Sequence, residues 1–410
     1  MLTDIKSLRP AAPILTGAAV MISLSMGIRQ SLGLVMPSLT RDIALSVSEF
    51  TLAVSVQNLA WGALQPFAGA LVVRLGFRPV MLTGAALYCA GLLLLAAAQG
   101  LLGVTIGAGV LIGVALSCTA AAIATAVAAR AVPERTRSFV LGCITGAGSL
   151  GALVSAPVGQ LLSVSFGWRA EVLGFLVLAL AMLPAAWFGG RVDGIATPPS
   201  AAAERIEASA MTALQTAMGS LPFCVMAGAY FVCGLQLLFI TTHLPSYLEI
   251  CGMDPMLSGE ALAVIACFNV LGSVFFGWAG GRWNKQALLG LIYTLRSLGL
   301  CVYFMLPPTP LSTLLFAAVM GFLWLGVSPL IAGSVVEMFG LRWQAMIQGI
   351  AFMSHQVGSF VGVLGSGLLF DWLGSYDLAW KLIVAMGLTA GVAQLSFALG
   401  RPLPPRLATS

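Results

Sequence analysis

Runs of about twenty mostly apolar residues, the length that crosses a bilayer as a helix, recur along this chain and decide its fold class. Cutting at clusters of charge, proline and glycine places six at Pro13–Met36, Phe50–Val73, Pro79–Ala98, Leu101–Ala129, Phe139–Leu162 and Glu171–Gly189. Six more follow at Leu221–Leu248, Ser258–Gly280, Gln286–Leu306, Leu311–Met338, Ala345–Phe370 and Leu378–Gly400. Only 8% of the 410 residues are charged and 59% are hydrophobic, whereas a soluble domain carries about a quarter charged residues. The expectation is an all-α integral membrane protein with twelve transmembrane helices.

Charge between the spans orients them. With both termini in the cytoplasm, the inner segments hold Lys6, Arg9, Arg74, Arg78, Arg130, Arg135, Arg137, Arg191, Arg205, Arg282, Lys285, Arg342, Arg401 and Arg406. The outer ones hold Arg41, Arg169 and Lys381. That asymmetry is the excess of Lys and Arg expected of cytoplasmic loops. The basic N-terminus lacks a small-residue cleavage site, so the first apolar run is expected to stay as a helix. The polar stretch 190–218 is too short for a catalytic domain and reads as a cytoplasmic linker, helical in part over Ala201–Met218. It divides the chain into six-span bundles at 1–189 and 219–410.

The halves echo each other at an offset near 208. Gly69 with Arg74 recurs as Gly277 with Arg282, Gly142 as Gly349, Gly148-Ser149 as Gly358-Ser359, and Pro37 as Pro245. A duplicated six-helix half suits a two-lobed carrier with a central site.

The loop after the second span reads Gly69-Ala-Leu-Val-Val-Arg74-Leu-Gly76-Phe-Arg78-Pro79. It resembles the loop signature of the major facilitator superfamily, with Val73 where that family usually has Asp. Phe166-Gly-Trp168-Arg169 resembles it too. Gly27-Ile-Arg29-Gln30 through Pro37, Gln57-Asn58-Leu-Ala-Trp61-Gly-Ala-Leu-Gln65-Pro66 and Ser354-His355-Gln356-Val-Gly358-Ser359 are similar to bacterial relatives of the monocarboxylate and oxalate–formate transporters. The resemblance implies a bacterial inner-membrane carrier, functional as a monomer, that moves small organic anions, often with a proton or a second anion. Eukaryotic members carry an acid–arginine pair on the eighth span. Here Phe268-Asn269-Val-Leu-Gly-Ser273 has no charge, so their proton mechanism does not transfer.

Two arginines point to the cargo. Arg29 and Arg296 lie inside apolar runs that hold no acid, and a guanidinium at mid-bilayer costs at least ~2.5 kcal/mol and stays ionised. An anionic ligand would supply the missing charge. The alternatives are snorkelling or pairing with helix carbonyls.

Gln57, Trp61 and Gln65 repeat at helical spacing with Asn58 beside them, a face suited either to a carboxylate with an apolar body or to bonding between helices. His355, ten residues into the eleventh span, is a candidate proton carrier. Tyr230, Gln236, Asn269 and Trp324 complete the expected substrate-binding set of Arg29, Gln57, Asn58, Trp61, Tyr230, Gln236, Asn269, Arg296, Trp324 and His355. Gly69, Arg74, Arg78, Gly277 and Arg282 are the expected conformational loop residues. His243, near a span end, reads as interfacial. The small-residue runs Gly146–Gly151 and Gly358–Gly362 suit close helix approach, at a sliding seam or in plain packing.

Several classes drop out. The basic residues are dispersed and form no stripe for nucleic acid. No HExxH, GxxxxGK[ST] or Cys/His cluster appears, so neither a metal site nor a nucleotide cofactor is expected. The eight cysteines are scattered singly and read as packing residues. The fourteen acids avoid the span centres, which weakens cation or multidrug export. The reading is a proton-coupled transporter of a small, monocarboxylate-like organic anion. Anion exchange and efflux of a neutral or amphipathic compound are the alternatives, and a non-transporting receptor or an intramembrane enzyme stands further off.

Overall fold

The computed structural model describes residues 9–195 and 209–400, and among these there is no strand. Twelve long helical spans account for most of them. They are α1 (Ala12–Ser31), α2 (Val47–Leu75), α3 (Phe77–Ala96), α4 (Leu101–Ala131), α5 (Glu134–Phe166) and α6 (Trp168–Gly194). The second set is α7 (Leu221–Ile250), α8 (Pro255–Gly280), α9 (Lys285–Met305), α10 (Pro310–Phe339), α11 (Gln344–Leu373) and α12 (Asp377–Leu399). Eleven helices among the described residues are long and apolar enough to cross a membrane. The α2 helix has 29 residues but is diluted by Gln57, Asn58 and Gln65. The least apolar span is thus one that carries candidate site residues.

Local sequence sets several boundaries. Ser46 and Glu49 close a capping box at the start of α2. Gly76 and Gly167 take φ of +90° and +85°, a region glycine enters without a Cβ penalty. Each lets one span end and the next begin one residue later, α2 into α3 and α5 into α6. Three spans are less regular than their apolar runs suggest. A π-helical turn occupies Thr105–Leu111 in α4, α6 is interrupted at Ala181, and α10 breaks between Trp324 and Val327. In the linker a helix covers Ala210–Met218. Its expected start near Ala201 lies outside the described residues, as do Lys6, Arg205, Arg401 and Arg406.

Helices α1–α6 pack on one another, as do α7–α12, and the two groups meet through α2 with α11 and α5 with α8. Within each group glycines let backbones touch, which is how helices associate where lipid removes the hydrophobic drive. Gly27 faces Gly151 between α1 and α5, while Gly358 and Gly362 face Phe231 and Leu235 between α11 and α7. Most of the two glycine runs therefore packs inside the groups. Gly146 is the member that reaches across, to Ser273.

The meeting line uses other glycines. Gly69 lies against Ala345 and Met346, Gly142 against Ser273 and Gly277, and Gly349 against Gln65 and Pro66. Thr125 Oγ1 donates to Gln348 Oε1 at 3.1 Å. These contacts put the ends of α2, α4 and α8 and the starts of α5 and α11 on one face. Arg74 and Arg282 therefore share that face, the arginine-rich end.

At the opposite end, Trp168 Nε1 donates to Asp42 Oδ2 at 2.9 Å. Arg169 pairs with the same carboxylate and donates to the Ala98 carbonyl at 3.3 Å. The indole and guanidinium donors hold the Asp42 carboxyl below the usual carboxylate range. Such a group contributes stability that is complete above its unfolded pKa of about 3.9 and lost as pH falls through the lower folded value. Asp42→Asn is expected to lower the melting temperature at neutral pH and to make its further fall below about pH 4 shallower. Parallel melts of both proteins across that range check this, and identical acid limbs would refute it.

Candidate functional site

The two six-helix groups touch at Asn58. Its carbonyl accepts from Gln356 Nε2 of α11 at 3.2 Å, and its side-chain Oδ1 accepts from Arg29 Nη2 of α1 at 2.6 Å. Arg29 thus sits beside a contact between the groups. Its Cζ lies 5.1 Å from the Trp61 ring centroid, a cation–π contact. Its Nε has no hydrogen-bond partner, and no carboxylate lies within 4 Å of it, among the described residues.

The amides of α2 divide into two uses. Gln57 Nε2 donates to the Ala108 carbonyl at 2.7 Å, and Gln65 Nε2 to the Ser117 carbonyl at 2.8 Å, both on α4. Ala108 lies in the π-helical turn, where widened pairing leaves carbonyls for other donors. Gln65 Oε1 accepts from Trp61 Nε1 at 3.0 Å, which fixes the indole beneath the guanidinium. Gln57 is 2% exposed and works as a tie between helices, leaving Asn58 and Trp61 as the α2 residues beside Arg29.

Across the meeting line a row of rings continues from Trp61. Phe352 lies 4.6 Å from it, His355 is stacked 5.7 Å beyond Phe352, and Tyr230 of α7 is 4.6 Å from His355. His355 Nδ1 is 3.3 Å from Gln356 Oε1 and 3.5 Å from Ser359 Oγ. The residue that joins the two groups to Asn58 therefore also orients the histidine. Phe352 and Gln356 escaped the sequence reading because neither is charged or sits out of place in its span. The available signals were the three-residue spacing of Phe352 from His355 and the place of Gln356 beside the histidine in the run Ser354–Ser359.

The remaining candidates lie outside this row, with Arg296 within electrostatic range of its Tyr230 and His355. Arg296 is fully buried and donates through Nη1 to Cys233 Sγ at 3.1 Å and through Nη2 to the Cys233 carbonyl at 3.3 Å. Gln236 donates to Ser297 Oγ at 2.8 Å. Asn269 Oδ1 accepts from the Leu325 amide at 3.3 Å, supporting the break in α10, and the partly buried Trp324 packs beside that break. His243 contacts the Tyr376 hydroxyl at 3.1 Å and the Val363 carbonyl at 3.2 Å.

In the loop, Arg74 is exposed, Arg78 stacks on Trp187 at 4.5 Å and Arg282 on Trp278 at 4.1 Å. The acid missing at Val73 has a counterpart from further along the chain. Asp193, in the last turn of α6, accepts from the amides of Phe77 at 2.7 Å and Arg78 at 3.0 Å.

A hollow of about 700 Å³ lies on the flank between α8, α9 and α10 and is lined by residues such as Phe268, Phe275, Trp283 and Phe322. It offers no charged group, so it suits lipid chains and not an anion. The Arg29–Asn58–Trp61 arrangement offers a forked donor above an aromatic face, which fits a carboxylate bidentately.

A family model described as Major Facilitator Superfamily matches residues 17–363. The chain is similar to the uncharacterized MFS-type transporter YcxA of Bacillus subtilis (strain 168), 26% identical over 360 residues that cover 85% of this chain and 86% of that protein. It is similar to monocarboxylate transporter 11 of Homo sapiens, 28% identical over 423 residues covering 97% of this chain and 86% of that one. Among solved structures, the transporter FucP in its outward conformation superposes with a TM-score of 0.73 at 15% identity, covering 95% and 99% of the two chains. The human organic anion transporter MFSD10 (TETRAN) superposes at 0.68 with 14% identity, covering 94% and 98%. At such identities the structural likeness speaks for the fold alone.

Proposed function

The chain belongs to the major facilitator superfamily and is a multi-pass membrane transporter, and we propose that its cargo is a small, monocarboxylate-like organic anion moved by alternating access. One observation carries this reading. Arg29, with no carboxylate partner among the described residues, stands with Asn58 and Trp61 beside a contact between the two helix groups. A carboxylate reaching Arg29 would meet its unused Nε donor, and its organic body would rest on the row Trp61, Phe352 and Tyr230. The relatives named as monocarboxylate transporters support the same cargo class. Counterflow of a labelled monocarboxylate in proteoliposomes tests the reading, and its absence across a panel of organic acids would refute it.

The arginine-rich end is proposed to face the cytoplasm of a bacterium, with the termini on that side. The glycine seams then close the carrier on its cytoplasmic side. Coupling is proposed to be proton symport. A neutral loaded carrier reorients more easily than one with a bare charge, and His355 lies within the ring row that connects both groups. Uptake is expected to rise as external pH falls, and His355→Gln to flatten that rise while leaving exchange of internal for external anion intact. A flat profile in the unsubstituted protein, corrected for substrate ionisation, would leave anion exchange as the mechanism.

A further inference from the structure

Arg296 is the largest of the fully buried side chains among the described residues. It stands eleven residues into α9, and no carboxylate pairs with it among the described residues. Both its bonded contacts come from Cys233 of α7, one to a thiol and one to a carbonyl. A guanidinium stays charged at this depth, and a buried charge with only neutral partners is unfavourable unless a counter-charge approaches.

Two donors around it are unused. Arg296 Nε has no hydrogen-bond partner among the described residues, and neither has the hydroxyl of Tyr293, which is 1% exposed. The two residues are three apart on α9 and so share one face of the helix. Tyr230 and Tyr293 both lie within electrostatic range of the Arg296 charge. Beside them Gln236 and Ser297 bond to each other. Gly387 of α12 closes that side so tightly that a Cβ there would overlap both. Helices α7, α9 and α12 thus wall in a polar nest that carries one fixed positive charge.

We infer that Arg296 and Tyr293 form a second anion site, separate from the one at Arg29, which holds a small inorganic anion of the chloride type as a resident counter-charge. The chemistry selects for this class. Arg296 Nε can only donate and the Tyr293 hydroxyl can donate toward the same acceptor, so together they suit an anion with no hydrogen of its own. The nest is closed to solvent, so it favours a small spherical ion over a carboxylate, which would bring an organic body with it. With the ion in place the second six-helix group is electrically neutral inside, and Arg29 alone is left to recognise cargo.

Melting of the purified full chain in chloride and in gluconate at equal ionic strength tests the site. The melting temperature is expected to rise with chloride and saturate, with bromide acting alike. Arg296→Gln should abolish the dependence. Since that variant removes a buried group and could fail to fold, Tyr293→Phe provides the second reading. It keeps the packing, loses one donor to an anion, and should raise the half-saturating chloride concentration about tenfold or more. Arg29→Gln should leave the chloride dependence intact. Crystals grown in bromide should show an anomalous peak beside Arg296 Nε and the Tyr293 hydroxyl. Equal melting in chloride and gluconate, a dependence unchanged in Tyr293→Phe, or no peak at Arg296 would each overturn the inference. Displacement of the bromide by a monocarboxylate would overturn the resident ion and put Arg296 on the cargo path.

Discussion

Replacing Arg29 with glutamine is expected to lower anion uptake about 10- to 150-fold while the folded yield stays near that of the unsubstituted protein. A charged hydrogen bond contributes roughly 1.5–3 kcal/mol, which corresponds to that range in affinity. Folding should tolerate the change because a glutamine amide can still donate toward Asn58 Oδ1, and because the variant removes an intramembrane charge with no carboxylate partner among the described residues. Arg29→Lys sharpens the test. It keeps the charge but loses the planar fork that matches a carboxylate and stacks on an indole, so it should recover only part of the uptake. Radiolabel uptake into proteoliposomes, set beside size-exclusion profiles of the same preparations, reads both effects. Unchanged uptake in Arg29→Gln would remove Arg29 from the site. Aggregation of that variant with normal uptake in the soluble fraction would make the residue structural.

The spans were legible because membrane helices announce themselves by length and apolarity, which need no tertiary information. The same rule hid the irregularities. The π-helical turn at Thr105–Leu111 has the composition of any small-residue helix, and only the Gln57 amide reaching Ala108 shows what its widened geometry is for. Arg29 was conspicuous for the same reason, since a charge in an apolar run stands out. Its setting was half visible, because Asn58 and Trp61 are near neighbours on one helix face while Phe352 arrives from a helix almost 300 residues away. Such long-range partners leave no local signal.

Gln57 and Gln65 show the opposite limit. Their helical spacing with Trp61 was real, but spacing alone does not say whether an amide turns to a ligand or to a neighbouring helix. The carbonyls of Ala108 and Ser117 decided it. Arg296 was likewise found by its oddity, while its lodging between α7, α9 and α12 depends on packing that no single run encodes. Glycine was the hardest residue to read. The chain has 47 of them, and the runs that suited either a sliding seam or plain packing mostly pack within a six-helix group. The solitary Gly142 and Gly277 meet across the two.

That pair sets the second large effect. Gly142→Leu is expected to hold the arginine-rich end open and to cut transport, because a Cβ on residue 142 would stand 2.5 Å from the Ser273 carbonyl oxygen and 2.8 Å from Gly277 Cα. Both obstacles are backbone, so no side chain can turn aside, and α5 and α8 must separate. Overpacking of this kind costs about 1–3 kcal/mol, which shifts a two-state equilibrium about five- to 150-fold. The clash exists only where the two groups are closed at this end, so the cost falls on that state and the opposite state gains population. Gly277→Leu attacks the same contact from the other helix and should act alike. Gly228→Ala, where an added Cβ meets nothing within 4 Å, should leave transport unchanged. Spin labels at positions 135 and 282, on the two sides of the seam, should report longer separations in Gly142→Leu than in the unsubstituted protein. Unchanged distances with full transport would mean that this contact does not close the carrier. Lengthened distances with full transport would mean that closure here is not needed in the cycle.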